Sequence, residues 1–240
     1  MLLVSLIGIV AIYIVFRVRN KEKLLSYKDK FIEHSVHEIK TPLSVIKLNA
    51  QLRNRNFGED KYSLKIEGAI KSLEHSYEDM VFLHTKEKIN YVNENLNLKE
   101  ILEDRVKYFE IIASTQNRKL QLKTSDEYIV NMSRIELFRL IDNNLSNAIK
   151  YSTVGSEIVI LLEKDEVKFL SYGNKIKDVE NIFQKYTREN NNVGGHGLGL
   201  SIVKDICSKY KIVINVYSSE KGLNIFSYKF NCHNFDTSNK

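Results

Sequence analysis

Several things are scarce in this 240-residue chain. It has one proline, no tryptophan and two cysteines, Cys207 and Cys232, which form no CxxC pair. Two isolated cysteines exclude a disulfide framework and a thiolate metal site, leaving buried or reduced thiols. No internal repeat and no low-complexity tract interrupts the chain. The net charge is +6, yet no dense Lys/Arg patch is interleaved with aromatics, which argues against direct nucleic-acid binding. With 43% hydrophobic and 28% charged residues, the balance is that of an ordinary folded protein.

What is present begins with an apolar run. Residues Met1 to Phe16 hold Ser5 as their one clearly polar side chain. As a helix this run covers ~24 Å, and continuing through Val18 with Arg17 and Arg19 snorkelling brings it close to the ~30 Å hydrocarbon core. A signal peptide is the competitor, but a positive n-region and a small-residue cleavage site are both missing. The expectation is a transmembrane helix over residues 1–18. Arg17, Arg19, Lys21 and Lys23 place the segment after it in the cytoplasm by the positive-inside rule. The protein is therefore expected in the inner or cytoplasmic membrane as a single-pass chain, with the region after the span cytoplasmic.

Beyond the anchor, Leu25, Ile32, Ile39 and Ile46 recur every seven residues, with Val36, Leu43 and Ala50 between them. This predicts a long helix with a coiled-coil seam, and a dimer. Polar residues Asn54 to Asp60, with Gly58, break it, and Ile66, Ile70, Leu73, Tyr77, Met80 and Leu83 mark a second helix. Two such hairpins make a four-helix bundle. Lys86 to Asn97 read as a linker. Helices are then predicted near Leu98–Ser114, Arg134–Lys150 and Leu198–Lys209, with strands at Glu157–Glu163, Glu166–Ser171, Ile212–Ser218 and Asn224–Phe230. The expected divisions are 1–18 (span), 19–30 (juxtamembrane helix), 31–88 (hairpin), 89–95 (linker), 96–232 (α/β domain) and 233–240 (polar tail).

One histidine in the first helix stands out. His37 is followed by Glu38, a carboxylate able to orient the imidazole and accept a proton. Thr41 lies one helical turn on, sharing that face, and Pro42 sits where it disturbs the helix. The order His34-x-x-His37-Glu38 is not the HExxH of zinc enzymes, and no third ligand lies nearby. The segment Phe31 to Leu43 resembles the phosphoacceptor box of two-component sensor histidine kinases, F-x5-H-E-[LIV]-[RK]-T-P-L. The resemblance implies that His37 is the phosphorylated residue, Glu38 the general base, and Thr41 the residue used to dephosphorylate a partner response regulator. Val36 departs from the serine usual there.

A second constellation lies on the helix Arg134–Tyr151. Phe138, Ile141, Leu145 and Ile149 form an apolar stripe; Asn143, Asn147 and Lys150 lie opposite. Amide oxygens can ligate a hard cation such as Mg²⁺, Lys150 can hold a phosphate, and the Tyr151 ring can pack on a base. Downstream, Gly194, Gly195, Gly197 and Gly199 fall within six residues, around Leu198 and at the start of a helical pattern. Such a loop lets amide N–H groups approach phosphate oxygens, and the helix start favours an anion.

These segments resemble the N box and G2 box of the same kinases, and Ile182 to Arg188 their F box, in the family's order. The resemblance implies an α+β protein. Its hairpin dimerises into a four-helix bundle, and an α/β sandwich domain of the GHKL type, shared with gyrase and chaperone ATPases, binds ATP and Mg²⁺. It implies Asn147 as the stronger metal ligand with Asn143 beside it. Lys150, Tyr151, Phe183, Arg188, Gly195, Gly197, Leu198 and Gly199 are the other nucleotide contacts. The G1 box departs from D-x-G-x-G: Ser171 and Gly173 remain, but Ser171 replaces the acid that recognises adenine and Lys175 replaces the second glycine. A serine hydroxyl still accepts a hydrogen bond without the carboxylate's charge, which leaves weaker or less adenine-selective binding open. The implied partners are a second copy of the chain and a response-regulator aspartate.

Overall fold

The computed structural model describes Arg17, Arg19 and residues 38–86, 89–124, 127–184 and 197–230. The expected membrane span and juxtamembrane helix, His37, Arg188, Gly195, Cys232 and the polar tail lie outside these residues, apart from the two arginines. Among the described residues no helix is long and apolar enough to cross a membrane.

The hairpin consists of α1 (residues 38–57) and α2 (Lys61–Thr85). Asp60 caps α2: its Oδ1 accepts from the Tyr62 and Ser63 amides at 2.9 and 2.7 Å, and the Ser63 hydroxyl accepts from the Asp60 amide at 2.9 Å. This reciprocal box satisfies donors that the first helical turn leaves unpaired. The Arg53 guanidinium, bonded to the Asp60 carboxylate across the turn, holds that carboxyl below its ordinary range. Farther along, Lys47 donates to Glu74 at 2.7 Å, so these two residues stand level in the antiparallel pair. The helix α1 continues unbroken through Pro42.

The second domain is a two-layer sandwich. Its sheet contains β2 (Lys119–Thr124), β4 (Glu157–Glu163), β5 (Glu166–Tyr172), β6 (Val213–Ser218) and β7 (Leu223–Lys229), in the order β2-β4-β5-β7-β6. All neighbours are antiparallel except β2 with β4, whose parallel pairing requires the long crossover that carries α4 (Arg134–Tyr151). A small ribbon pairs β1 (Glu94–Asn97) with β3 (Ile129–Met132). The stretch read as linker therefore contributes a strand at its end. The helices α3 (Leu98–Thr115), α4 and α5 (Gly199–Tyr210) share one core with the sheet, built on Leu102, Phe109, Leu140, Ile160, Phe169 and Ile202.

Strand alternation explains the layering. Ile158, Ile160 and Leu162 of β4 are buried while their neighbours are half-buried or exposed, so one face of the sheet meets the helices. The helices are tied by polar contacts as well. Glu136 at the start of α4 is buried yet receives Lys209 at 2.8 Å on both oxygens and the Tyr210 hydroxyl at 2.6 Å, both from α5. A carboxylate can be enclosed in this way because its partners satisfy it. Cys207 on α5 is buried, and burial pushes its thiol up to about 12, so it acts as a small apolar side chain.

Candidate functional site

Three asparagines lie close together along α4, and the fold gives each a different task. Asn144 is buried; its amide donates to the Leu140 carbonyl at 2.8 Å and accepts from the Tyr228 hydroxyl at 2.7 Å, pinning α4 to β7. Asn143 is 3% exposed. Its nitrogen donates to the Arg139 carbonyl at 2.9 Å and to Asp79 of α2 at 3.0 Å, so both protons are used. Its oxygen then faces Gly199, where an added Cβ would lie 2.1 Å from Oδ1. Only a glycine lets α5 begin against that amide. Asn147, one turn on, is half-buried and makes no side-chain hydrogen bond among the described residues, so its amide is open for a ligand.

These groups border a cleft of about 680 Å³. From α4 it is lined by Asn143, Asn144, Asn147, Lys150 and Tyr151, and from the start of α5 by Gly197, Leu198 and Gly199. The floor is Phe169 and Ser171 of β5 with Asn224 and Phe226 of β7, and Asn174, Lys175, Ile176 and Lys177 form a rim. The third wall comes from the hairpin, through His75, Ser76 and Asp79 of α2.

Asp79 is the hinge pin of that third wall. It is 8% exposed and lies 3.2 Å from Arg139 Nη1, 3.0 Å from Asn143 and 3.7 Å from His75 Nε2. Glu78 engages the same guanidinium. Burial alone would lower the Arg139 pKa, but these two carboxylates hold it above its usual range, so the cation is secure. His75 rests edge-on against Phe109, centroids 5.7 Å apart, and its buried Nδ1 has no partner among the described residues. Lys86 with Asp205, and Tyr108 with Glu74 at 3.4 Å, add contacts across the same seam.

Of the residues singled out from the sequence, the cleft brings together Asn143, Asn147, Lys150, Tyr151, Ser171, Gly197, Leu198 and Gly199. Gly173 and Phe183 do not line it. Gly173 is used structurally: its backbone bridges Ser152, its amide donates to Gly222 at 2.9 Å, and an added Cβ would lie 2.3 Å from the Tyr151 carbonyl. Ile182, not Phe183, reaches the cleft from the short 3₁₀ turn Asn181–Phe183. Glu38 and Thr41 are exposed on α1. From the Lys47–Glu74 contact, α1 and α2 run past each other residue for residue, so Glu38 stands level with about Leu83. That is about one helical turn beyond Asp79. The sequence reading missed His75, Asp79, Asn224 and Phe226. Buried polar positions inside apolar strands or helices were the available signal only for Asn224.

Comparison with known proteins bears on this arrangement. Residues 132–233 match the family described as histidine kinase-, DNA gyrase B-, and HSP90-like ATPase. The chain is 25% identical over 219 residues to the sensor histidine protein kinase HK06 of Streptococcus pneumoniae, covering 85% of this chain and 49% of that one. Among solved structures it resembles the Acinetobacter baumannii histidine kinase AdeS, with TM-score 0.53, 21% identity, and 82% and 98% of the two chains covered. Full-length ShkA in complex with AMPPNP gives TM-score 0.57 at 16% identity, covering 84% of this chain and 45% of that one. The chain spans about half the length of the curated relatives it matches. Residues 132–233 thus match the histidine kinase-, DNA gyrase B- and HSP90-like ATPase family, and the chain as a whole is similar to sensor histidine kinases.

Proposed function

We propose that this chain is the kinase core of a two-component sensor, using ATP to phosphorylate its own His37 and passing the group to an aspartate of a response regulator. The observation that carries this reading is the cleft itself. It joins an open carboxamide, a lysine and a glycine-flanked helix start, and one of its walls belongs to the hairpin that bears Glu38 and Thr41. The triphosphate lies toward Gly197–Gly199 and Lys150, where backbone amides and a cation meet negative charge. The base lies against Phe169, Phe226 and Ile176. The adenosine triphosphate analogue named with ShkA is consistent with a nucleotide of this kind.

The donor set also fits Mg²⁺, because Asn147 offers one neutral oxygen and this ion takes few protein ligands beside phosphate and water. When bound, the ion offsets charge on the transferring group. Asn143 stands beside it: its nitrogen is committed to Asp79 and the Arg139 carbonyl, which leaves its oxygen as the second neutral ligand atom, toward Gly199. In transfer, Glu38 hydrogen-bonds one nitrogen of His37 and fixes the tautomer. The other nitrogen attacks the γ-phosphorus, the bond to the bridging oxygen breaks to leave ADP, and the imidazole proton passes to Glu38. Thr41 serves the reverse task of orienting water against the phosphorylated regulator.

The hairpin's uncovered apolar side chains, among them Ile39, Ile46 and Leu73, support a homodimer with a four-helix bundle. The apolar run of residues 1–18 anchors the chain in the cytoplasmic membrane with the catalytic region inside. The test is incubation with Mg²⁺ and γ-labelled ATP. Acid-labile, alkali-stable label is expected on the wild type and absent from His37→Ala, with nucleotide binding intact in both. Asn147→Asp is expected to cut labelling by at least about tenfold. Binding without label in a folded dimer would instead assign the chain to regulator dephosphorylation.

A further inference from the structure

The cleft floor contains a polar pair where the fold calls for apolar residues. The helix-facing residues of β5 are Val167, Phe169 and Ser171, and those of β7 are Asn224, Phe226 and Tyr228. They meet in register as Val167 with Tyr228, Phe169 with Phe226, and Ser171 with Asn224. Ser171 is 9% exposed and Asn224 6%. Burying two polar side chains next to each other under an apolar layer costs stability unless something uses them. The hydroxyl of Ser171 has no hydrogen-bond partner among the described residues, and both side chains line the cleft.

The pair is also oriented. Asn224 Nδ2 faces the Asn174 carbonyl at 3.0 Å, and since that oxygen only accepts, the atom facing it is the nitrogen. Asn224 Oδ1 accepts from Ser218 Oγ at 2.6 Å, and that hydroxyl in turn accepts from the Ile176 amide at 2.9 Å. Asn224 therefore keeps one N–H and one lone pair for a ligand, in a fixed direction. Ser171 adds a hydroxyl that donates or accepts by rotation. Among the described lining residues the one carboxylate is Asp79, on the hairpin wall beside Asn143 rather than on this floor.

We propose that Ser171 and Asn224 together read the base edge of the nucleotide, and that this neutral pair accepts a purine with either a 6-amino or a 6-oxo group. The inference rests on the nucleotide reading of the cleft. An adenine edge offers an amino donor beside a ring acceptor; a guanine edge offers an oxo acceptor beside a ring donor. A hydroxyl next to a half-used carboxamide answers both patterns, whereas a carboxylate, which only accepts, would answer the amino edge alone. Phe169, Phe226 and Ile176 contribute apolar contact to both bases without discriminating between them.

The test is equilibrium binding of ATP and of GTP, each with Mg²⁺, to the full chain. The two dissociation constants are expected within about tenfold of each other, and Ser171→Asp is expected to tilt the ratio toward ATP by about tenfold or more. Ser171→Ala introduces no buried charge and is expected to weaken both nucleotides by a similar factor of a few. Wild-type preference for ATP beyond tenfold, or an alanine variant that weakens ATP alone, overturns the inference while leaving the nucleotide site in place. Failure of both nucleotides to bind the wild type removes the site and the inference with it.

Discussion

The helices α1 and α4 are of similar length and lead opposite lives. Eleven of the eighteen residues of α4 are buried, polar ones included, whereas over residues 38–57 α1 buries Leu43 alone and leaves Ile39, Val45, Ile46, Leu48 and Leu52 exposed. Helix α4 is finished by its own chain; α1 presents a seam that only another surface can cover. Substitution should separate them sharply. Leu140→Ala on α4, at full burial, is expected to cost about 3 kcal/mol in urea unfolding whatever the protein concentration. Ile46→Ala is expected to cost little within one chain, and its effect should appear as a weaker dimer by analytical ultracentrifugation. A concentration-independent loss from Ile46→Ala would mean that the seam is covered within the chain.

The same contrast marks what the sequence makes legible. The periodicities of Leu98–Thr115, Arg134–Tyr151 and Gly199–Tyr210, and the alternation in Glu157–Glu163 and Glu166–Tyr172, are local patterns, and they appear in the fold close to where they are predicted. The strands Glu94–Asn97 and Ile129–Met132 pair with each other across more than thirty residues; the first is mostly polar and each is only four residues long, too short for alternation to stand out. Lys119–Thr124 did carry one, since Leu120 and Leu122 alternate with polar neighbours. Asn147, Lys150 and the glycines Gly197 and Gly199 could be picked out by residue type and spacing, and all four line the cleft. The role of Asp79 was not, because nothing in Tyr77-Glu78-Asp79-Met80 says that a helix sixty-four residues away needs an acceptor. Gly173 could be located but its task could not: close passage of the Tyr151 carbonyl is a tertiary fact.

Asp79 is where the two regions touch, so it offers the next largest effect. In Asp79→Ala, Arg139 keeps Glu78, but a buried proton of Asn143 loses its acceptor in a site 3% exposed. A loss of about 1–3 kcal/mol is expected. A double-mutant cycle with Asn143→Ala should return a coupling of at least about 0.5 kcal/mol. For comparison, Tyr228→Phe frees the Asn144 oxygen inside the domain and is expected to cost about 1 kcal/mol with no change in hairpin docking. Coupling near zero at Asp79 would make the hairpin wall an incidental neighbour of the cleft, and would leave α4 held by its own domain alone.

The smallest effect concerns the joint within the domain, between α4 and α5, and is read by pH. Burial raises the Tyr210 phenol above its ordinary range, and the Glu136 carboxylate beside it raises it further. The unfolded chain releases this proton near pH 10 while the fold retains it, so the contribution to stability is complete below that pH and is lost as pH rises beyond it. The melting temperature is therefore expected to fall from about pH 10 upward, with this phenol contributing a slope of up to about 1.4 kcal/mol per pH unit. Tyr210→Phe removes that contribution and should flatten the alkaline limb, at the cost of the bonds to Ser133 and Glu136 at neutral pH. Tyr108 and Tyr228, also raised by burial, keep part of the limb in the variant. If the limb is unchanged by Tyr210→Phe, the α4–α5 joint does not hold its proton through Glu136, and Lys209 alone secures that carboxylate.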